Sequence, residues 1–132
     1  MAERVVVTAS WKQGVAFAVK IRGHELLTDL PPEKGGGDLG PTPPELLLAA
    51  LASCSGIFAK LFADREGFPT DGIEVAVEAD SLSAPARLGN FRVQVKIPGL
   101  PEDKREKAKA FVESCLVGQT LKTANTIDLE FL

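Results

Sequence analysis

Residues 42–54 read TPPELLLAALASC, and the reading of this stretch decides the fold. Thr42 supplies an N-cap hydroxyl, Pro43 falls at the first helical position, and Glu45 follows Thr42 by three residues. This is a capping box, with the missing proline N–H placed where a helix needs no partner. From Leu46 to Ala59 no charged residue occurs, and Gly67 with Pro69 supplies the stop. A helix is therefore expected from Thr42 to about Glu66. Its apolar residues cover more than one face, so it should be buried on most sides. One sheet cannot do that; a second helix, a second sheet or a partner subunit must cover the rest. Near its centre the helix carries Cys54. That thiol is either inert core volume or a nucleophile secluded from bulk water.

The remaining chain arranges itself around this helix. Arg4 to Trp11, Val15 to Ile21 and His24 to Leu30 each alternate with period two, and Gly14 and Gly23 mark the turns between them. That predicts a three-stranded meander. PPEKGGGDLGP (31–41) is a loop, with a functional role and a plain crossover as the two readings. After the helix, Ile73 to Asp80 puts Ile73, Val75, Val77 and Ala79 on one face and Glu74, Glu78 and Asp80 on the other. Phe91 to Ile97 repeats the pattern with Arg92 and Lys96 outward, so acidic and basic outer faces suit an antiparallel pair. Residues 81–90 form a long connection. A second helix is expected from Pro101, with Glu102 and Asp103 in its first turn. An apolar stripe of Phe111, Val112, Cys115 and Leu116 runs along it, and Gly118 should bend it. NTIDLEFL (125–132) alternates as a closing strand. The order is βββ-α-ββ-α-β, an α+β class with mainly antiparallel sheet, in one domain over 1–132.

Composition sets the outer limits. The 132 residues are 45% hydrophobic and 25% charged, ordinary for a globular chain long enough to bury a core. A net charge of −3 and pI near 5.2 argue against nucleic acid or an anionic membrane as partner. MAERVVV lacks the basic flank and apolar core of a signal peptide, so a cytoplasmic location is expected. Lys60 ends the apolar run too early for a membrane span of about 20 residues. In a reducing compartment the two cysteines are thiols or a transient redox pair rather than a structural staple.

Candidate chemistry centres on those thiols, Cys54 and Cys115, one on each expected helix. If the helices pack side by side the sulfurs can meet, whereas inert packing is the bland reading for each. Ser53, Ser55 and Gly56 leave space beside the first thiol. A second thiol suggests a peroxidatic and resolving pair, because a sulfenic acid is discharged by a neighbouring thiol. The sole histidine, His24, stands at a hairpin start and makes no convincing dyad or metal site with two distant cysteines. GGGDLGPTP precedes a helix but lacks the Gly-Lys-Ser/Thr ending of a phosphate loop. No metal and no cofactor are expected. Lys60 reads as a snorkelling side chain.

The segments GGGDLGPTPPELLLAALASC and VESCLVGQTL, with the strand–helix order, resemble the OsmC/Ohr family of osmotically inducible and organic hydroperoxide resistance proteins, closest to its OsmC-like branch. The resemblance covers nearly the whole chain. It implies an intertwined homodimer in which sheets of both subunits wrap two long central helices. It also implies thiol-dependent reduction of organic hydroperoxides in oxidative stress defence: Cys54 attacks the peroxide, Cys115 resolves it as a disulfide, and a dithiol or lipoylated protein reduces the pair. Two positions differ from the peroxidase members. Lys12 stands in the first turn where they carry arginine, and the acid after the helix-start proline comes one residue late, at Glu45. Nine residues separate Glu45 from Cys54, which puts them on opposite sides of a straight helix and makes Glu45 a capping acid. Lys12 or Arg22 is left to supply positive charge. The alternative is a non-catalytic stress protein of the same fold that binds a small hydrophobic molecule at the dimer interface.

Overall fold

Turn chemistry and cross-strand pairing build the N-terminal region. In the computed structural model, which describes residues 3–132, β1 (Thr8–Gln13), β2 (Ala16–Ile21) and β3 (His24–Thr28) form an antiparallel sheet in that order. Gly14 takes a positive φ of 53° in the first turn, and the Trp11 indole N–H donates to its carbonyl at 2.9 Å. The meander stands as expected, with shifted bounds. β1 starts at Thr8 rather than Arg4 because Thr8 already pairs with Lys20, and β2 turns away after Ile21. Within β2 the alanines Ala16 and Ala18 are the buried residues, while Phe17, and Val15 just before the strand, remain exposed.

The glycine loop after β3 is fixed from the protein side. Asp29 is buried, and its carboxylate accepts the backbone N–H groups of Leu30, Gly37 and Leu39 at 2.7, 3.1 and 3.1 Å. Those bonds hold its carboxyl below the usual carboxylate range, the Leu30 amide contributing most. A β-carbon at Gly36 would overlap the Leu30 carbonyl, and one at Gly40 the Leu27 carbonyl, so the two chain passes touch backbone to backbone. The loop is a clasp, in which Gly36 and Gly40 serve close approach of backbone to backbone.

α1 (Pro43–Glu66) begins as read. The Thr42 N–H donates to Glu45 Oε1 at 2.8 Å and the Glu45 N–H to Thr42 Oγ1 at 3.2 Å, the reciprocal bonds of a capping box. The chain divides between Leu47 and Leu48 into two compact units, each described in its own terms. α1 is long and apolar enough by composition to cross a membrane, yet its residues Ala59 and Ala63 lie in a packed core with Ile97 and Val112. Burial on most sides is not what the single chain achieves. The buried residues form one row, Leu51, Ser55, Ala59, Phe62 and Ala63, whereas Ile57 is 58% and Leu61 46% exposed.

In the second unit β4 (Glu74–Leu82) and β5 (Arg87–Lys96) form an antiparallel hairpin. The charge reading holds residue by residue: Glu74 lies opposite Lys96 and Glu78 opposite Arg92. Arg92 binds Glu78 at 2.8 Å and Asp80 at 2.9 Å. The strands run further than expected, absorbing most of the connection at 81–90. The apolar face of β4 meets α1 closely, since a β-carbon on Gly56 would stand 3.7 Å from Val75.

The second helix is two helices. A 3-10 turn at Glu102–Lys104 leads into α2 (Arg105–Glu113), and α3 (Leu116–Lys122) follows after a break. The break falls at Ser114–Cys115 rather than at Gly118. Ser114 turns its hydroxyl back to the Phe111 carbonyl at 2.6 Å, and Cys115 takes extended backbone angles as the N-cap of α3. With the helix restarted, Leu116 points outward instead of extending the apolar stripe. Residues 125–132 form no strand in this chain. Their alternation is intact, but Ile127, Leu129 and Phe131 are almost fully exposed, because a strand needs a paired neighbour.

Candidate functional site

Cys54 and Cys115 meet where α1 passes the start of α3. Cys115 is the deeper of the two, 2% exposed, whereas Cys54 is half-buried, which reverses the expectation of a deeply placed Cys54. The Cys115 thiol and the Val117 and Leu116 amides are the neighbours whose polarity acts on the Cys54 thiol. Burial pushes the Cys54 thiol above its ordinary value of 9.0, and the Cys115 sulfur pushes the same way. The two amides pull it down, since an N–H aimed at sulfur favours the thiolate. No lysine or arginine among the described residues is one of the groups acting on it. Glu45 is occupied with Thr42 in the capping box, whose bonds also hold its carboxyl low.

The surroundings of Cys115 are polar in an otherwise apolar seam. Its Sγ accepts the Gly118 N–H at 3.3 Å, the place a serine or aspartate oxygen takes in an ordinary N-cap. Ser55, also 2% exposed, has its Oγ 3.9 Å from the same sulfur. Gly118 provides room rather than a bend: a β-carbon there would stand 3.2 Å from the sulfur and 3.7 Å from Leu51. Ser55 and Gly118 are the two positions whose roles sequence reasoning missed. The signal for Ser55 was a polar residue beside a cysteine in an apolar helix, read only as a source of space.

A groove of about 940 Å3 opens beside Cys115, within the second unit. Leu51, Val93, Val95 and Val112 line its apolar part, and Lys96 and Lys109 are among the charged residues at its edge. Among the described residues no three His, Cys, Asp or Glu side chains cluster as metal ligands. His24, Lys12 and Arg22 belong to the first unit, where His24 pairs with Ile21 and Arg22 has a positive φ of 56° in the β2–β3 turn.

Comparison with known proteins agrees with this architecture. The chain is 33% identical over 96 residues to an uncharacterized protein of Mycobacterium tuberculosis (strain ATCC 25618 / H37Rv), covering 67% of this chain and 70% of the relative. An OsmC-like protein from Mycoplasma pneumoniae superposes with a TM-score of 0.78 at 20% identity, over 92% of this chain and 89% of the other. An organic hydroperoxide resistance protein OsmC from Legionella pneumophila gives 0.69 at 19% identity, over 92% and 91%. The organic hydroperoxide resistance protein OhrB of Bacillus subtilis gives 0.63 at 20% identity, over 91% of each chain. These structures share the α+β fold of antiparallel sheets and helices. The family model for OsmC-like proteins matches residues 35–130, from the glycine clasp through both thiols to the closing segment, and the chain belongs to that family.

Proposed function

We propose that this protein is a thiol peroxidase that reduces organic hydroperoxides through Cys54 and Cys115. The observation that carries the reading is the meeting of the two sulfurs at the α1–α3 junction, with one half-buried and the other sealed. The Cys54 thiolate attacks the distal peroxide oxygen, the O–O bond breaks, and the alcohol leaves after taking a proton. Cys54 is then a sulfenic acid. The Cys115 thiolate attacks that sulfur, hydroxide departs as water, and a disulfide remains. A dithiol reductant returns both thiols. The seam between α1 and α3 suits the second step because the resolving sulfur is already in reach.

The proposed working unit is a homodimer. The exposed face of α1 at Ile57 and Leu61, and the unpaired closing segment with its alternating Ile127, Leu129 and Phe131, are surfaces that a second copy would cover. A dimer also offers Lys12 or Arg22 a route to the thiolate that Cys54 lacks in its own unit. The test is a titration of free thiols before and after one equivalent of cumene hydroperoxide. Loss of both thiols in the wild type, and retention of the single Cys115 thiol in Cys54→Ser, is expected; unchanged counts in the wild type remove the reading.

A second reading is favoured by one specific observation, the groove beside Cys115 together with a Cys54 thiol on which no cation acts. In that reading the protein binds a hydrophobic small molecule and does no redox chemistry. A thermal shift with an apolar ligand that persists in Cys54→Ser, with thiols inert to hydroperoxide, selects it.

A further inference from the structure

The Cys115 sulfur is sealed from solvent, yet it is not left in hydrocarbon. Two polar groups from two different helices converge on it: the Ser55 hydroxyl of α1, 3.9 Å away and able to donate to the sulfur or to accept from it, and the Gly118 N–H of α3, which donates at 3.3 Å. A serine in the middle of a helix commonly turns its hydroxyl back to the carbonyl four residues earlier. The Ser55 hydroxyl pairs with the sulfur instead, and once Cys115 is a thiolate only the hydroxyl has a proton to give. Ser55 follows Cys54 directly, so α1 presents to one sulfur both the thiol it can bond and a hydroxyl that can serve it. Asymmetry of exposure then orders the reductive half of the cycle. In a Cys54–Cys115 disulfide the half-buried Cys54 sulfur is the one that an external thiolate can reach.

We propose that Ser55 is a positioning residue that stabilises Cys115 as the leaving thiolate when the disulfide is reduced. This rests on the reading of the two cysteines as a redox pair. A thiolate of a dithiol reductant attacks the Cys54 sulfur and forms a mixed disulfide there. The Cys54–Cys115 bond breaks, and its electron pair stays on Cys115, which receives the Ser55 O–H and Gly118 N–H hydrogen bonds. The reductant's second thiolate then attacks its own sulfur in the mixed disulfide, closes the reductant's ring and releases Cys54 as a thiolate. Leaving groups of lower pKa depart faster, so donors on Cys115 accelerate the first exchange. They perform this without a cation, which suits a buried site where an unpaired ammonium would be costly.

The test separates Ser55 from peroxide chemistry. In a Cys54→Ala background the single remaining thiol is titrated by thiolate absorbance at 240 nm, which needs no access to the sulfur. Adding Ser55→Ala is expected to raise the midpoint, so that the thiolate fraction at neutral pH falls about tenfold, as for a hydrogen bond to a charged group. Adding Ser55→Thr, which keeps the hydroxyl, is expected to restore it. In the two-cysteine protein oxidised with diamide, Ser55→Ala should slow reduction by dithiothreitol at pH 7.5 about threefold, part of the pKa change being expressed in the rate. An unmoved midpoint in Ser55→Ala with native circular dichroism would overturn the proposal, as would a threonine variant that behaves like alanine. Wild-type thiols that survive hydroperoxide while Ser55→Ala still shifts Cys115 would sink the peroxidase reading and leave the donor role standing.

Discussion

Changing pH across the Cys54 titration tests the electrostatics of the site most directly. Burial and the neighbouring sulfur raise this thiol above its ordinary value of 9.0, against the weaker opposite pull of two amides. The sign follows: the thiolate is the reactive form, and it gains population only as pH rises towards that raised midpoint. With a midpoint at or above 9.0, the thiolate is at most about one part in a hundred at pH 7 and grows about tenfold for each pH unit up to 8. Alkylation by iodoacetamide, located by peptide mass spectrometry, reads this rate, because Cys115 is too deeply buried to compete. The rate at Cys54 should rise close to tenfold between pH 7 and 8 and continue to rise beyond 9. Cys115→Ala should bring the midpoint down, since the second sulfur is one of the groups raising it. A rate that is flat from pH 7 to 9 would refute the reasoning, for it would mean that a positive charge reaches the sulfur in the assembled protein. Lys12→Met and Arg22→Met would then show which side chain brings it, by restoring the steep profile.

Other consequences can be checked independently. Asp29→Asn removes a carboxylate whose folded pKa is lowered from 3.8 by backbone donors. The stability it contributes is present above that value and is lost as pH falls through the depressed folded pKa, so the variant should be less stable at pH 7 and show a shallower acid limb in circular dichroism. Phe62 is 2% exposed and meets Phe111 and Phe68 at ring separations of 5.8 and 6.3 Å. Phe62→Ala should cost about 3–5 kcal/mol in urea unfolding, the range for removing a buried aromatic ring; a loss under about 1 kcal/mol would mean that the seam collapses around the gap. Leu129→Asp places a charge in the alternating closing segment. If the proposed homodimer forms through this segment, light scattering should then show a shift towards the 14.0 kDa monomer, and a dimer unaltered by the substitution would show that the segment lies outside the interface.

What the sequence disclosed and what it withheld divide along the range of the interactions. The capping box was readable because Thr42 and Glu45 are three residues apart and bond each other's backbone. The β4–β5 pairing was readable because opposite charges must face each other across one hairpin, and Glu78 and Arg92 do. The N-terminal strand was begun four residues too early, and the closing strand was read where this chain forms none. Their alternation says which residues would share a face, but not whether a neighbouring strand is present to pair with them. Within β2 the small residues took the buried face, a choice set by how closely the chain packs there. The Asp29 clasp was invisible, because an acid before a glycine run does not announce which amides will turn towards it. The approach of the thiols could be framed as a question of two helices. Ser55 could not be assigned, because its partner lies sixty positions away and only the packing of α1 on α3 joins them.

The separation of the two cysteines along the chain has a thermodynamic corollary. A bridge between Cys54 and Cys115 would enclose β4, β5 and α2 in one covalent ring. Closing a ring of that size removes roughly 4 kcal/mol of disorder from the unfolded chain by the loop-entropy relation. The oxidised protein should therefore melt later than the reduced one, and calorimetry of the two forms would show it. Equal melting temperatures would mean that strain in the bridge cancels the gain. In the proposed cycle the protein would become sturdier at the moment of oxidation and relax once a reductant arrives.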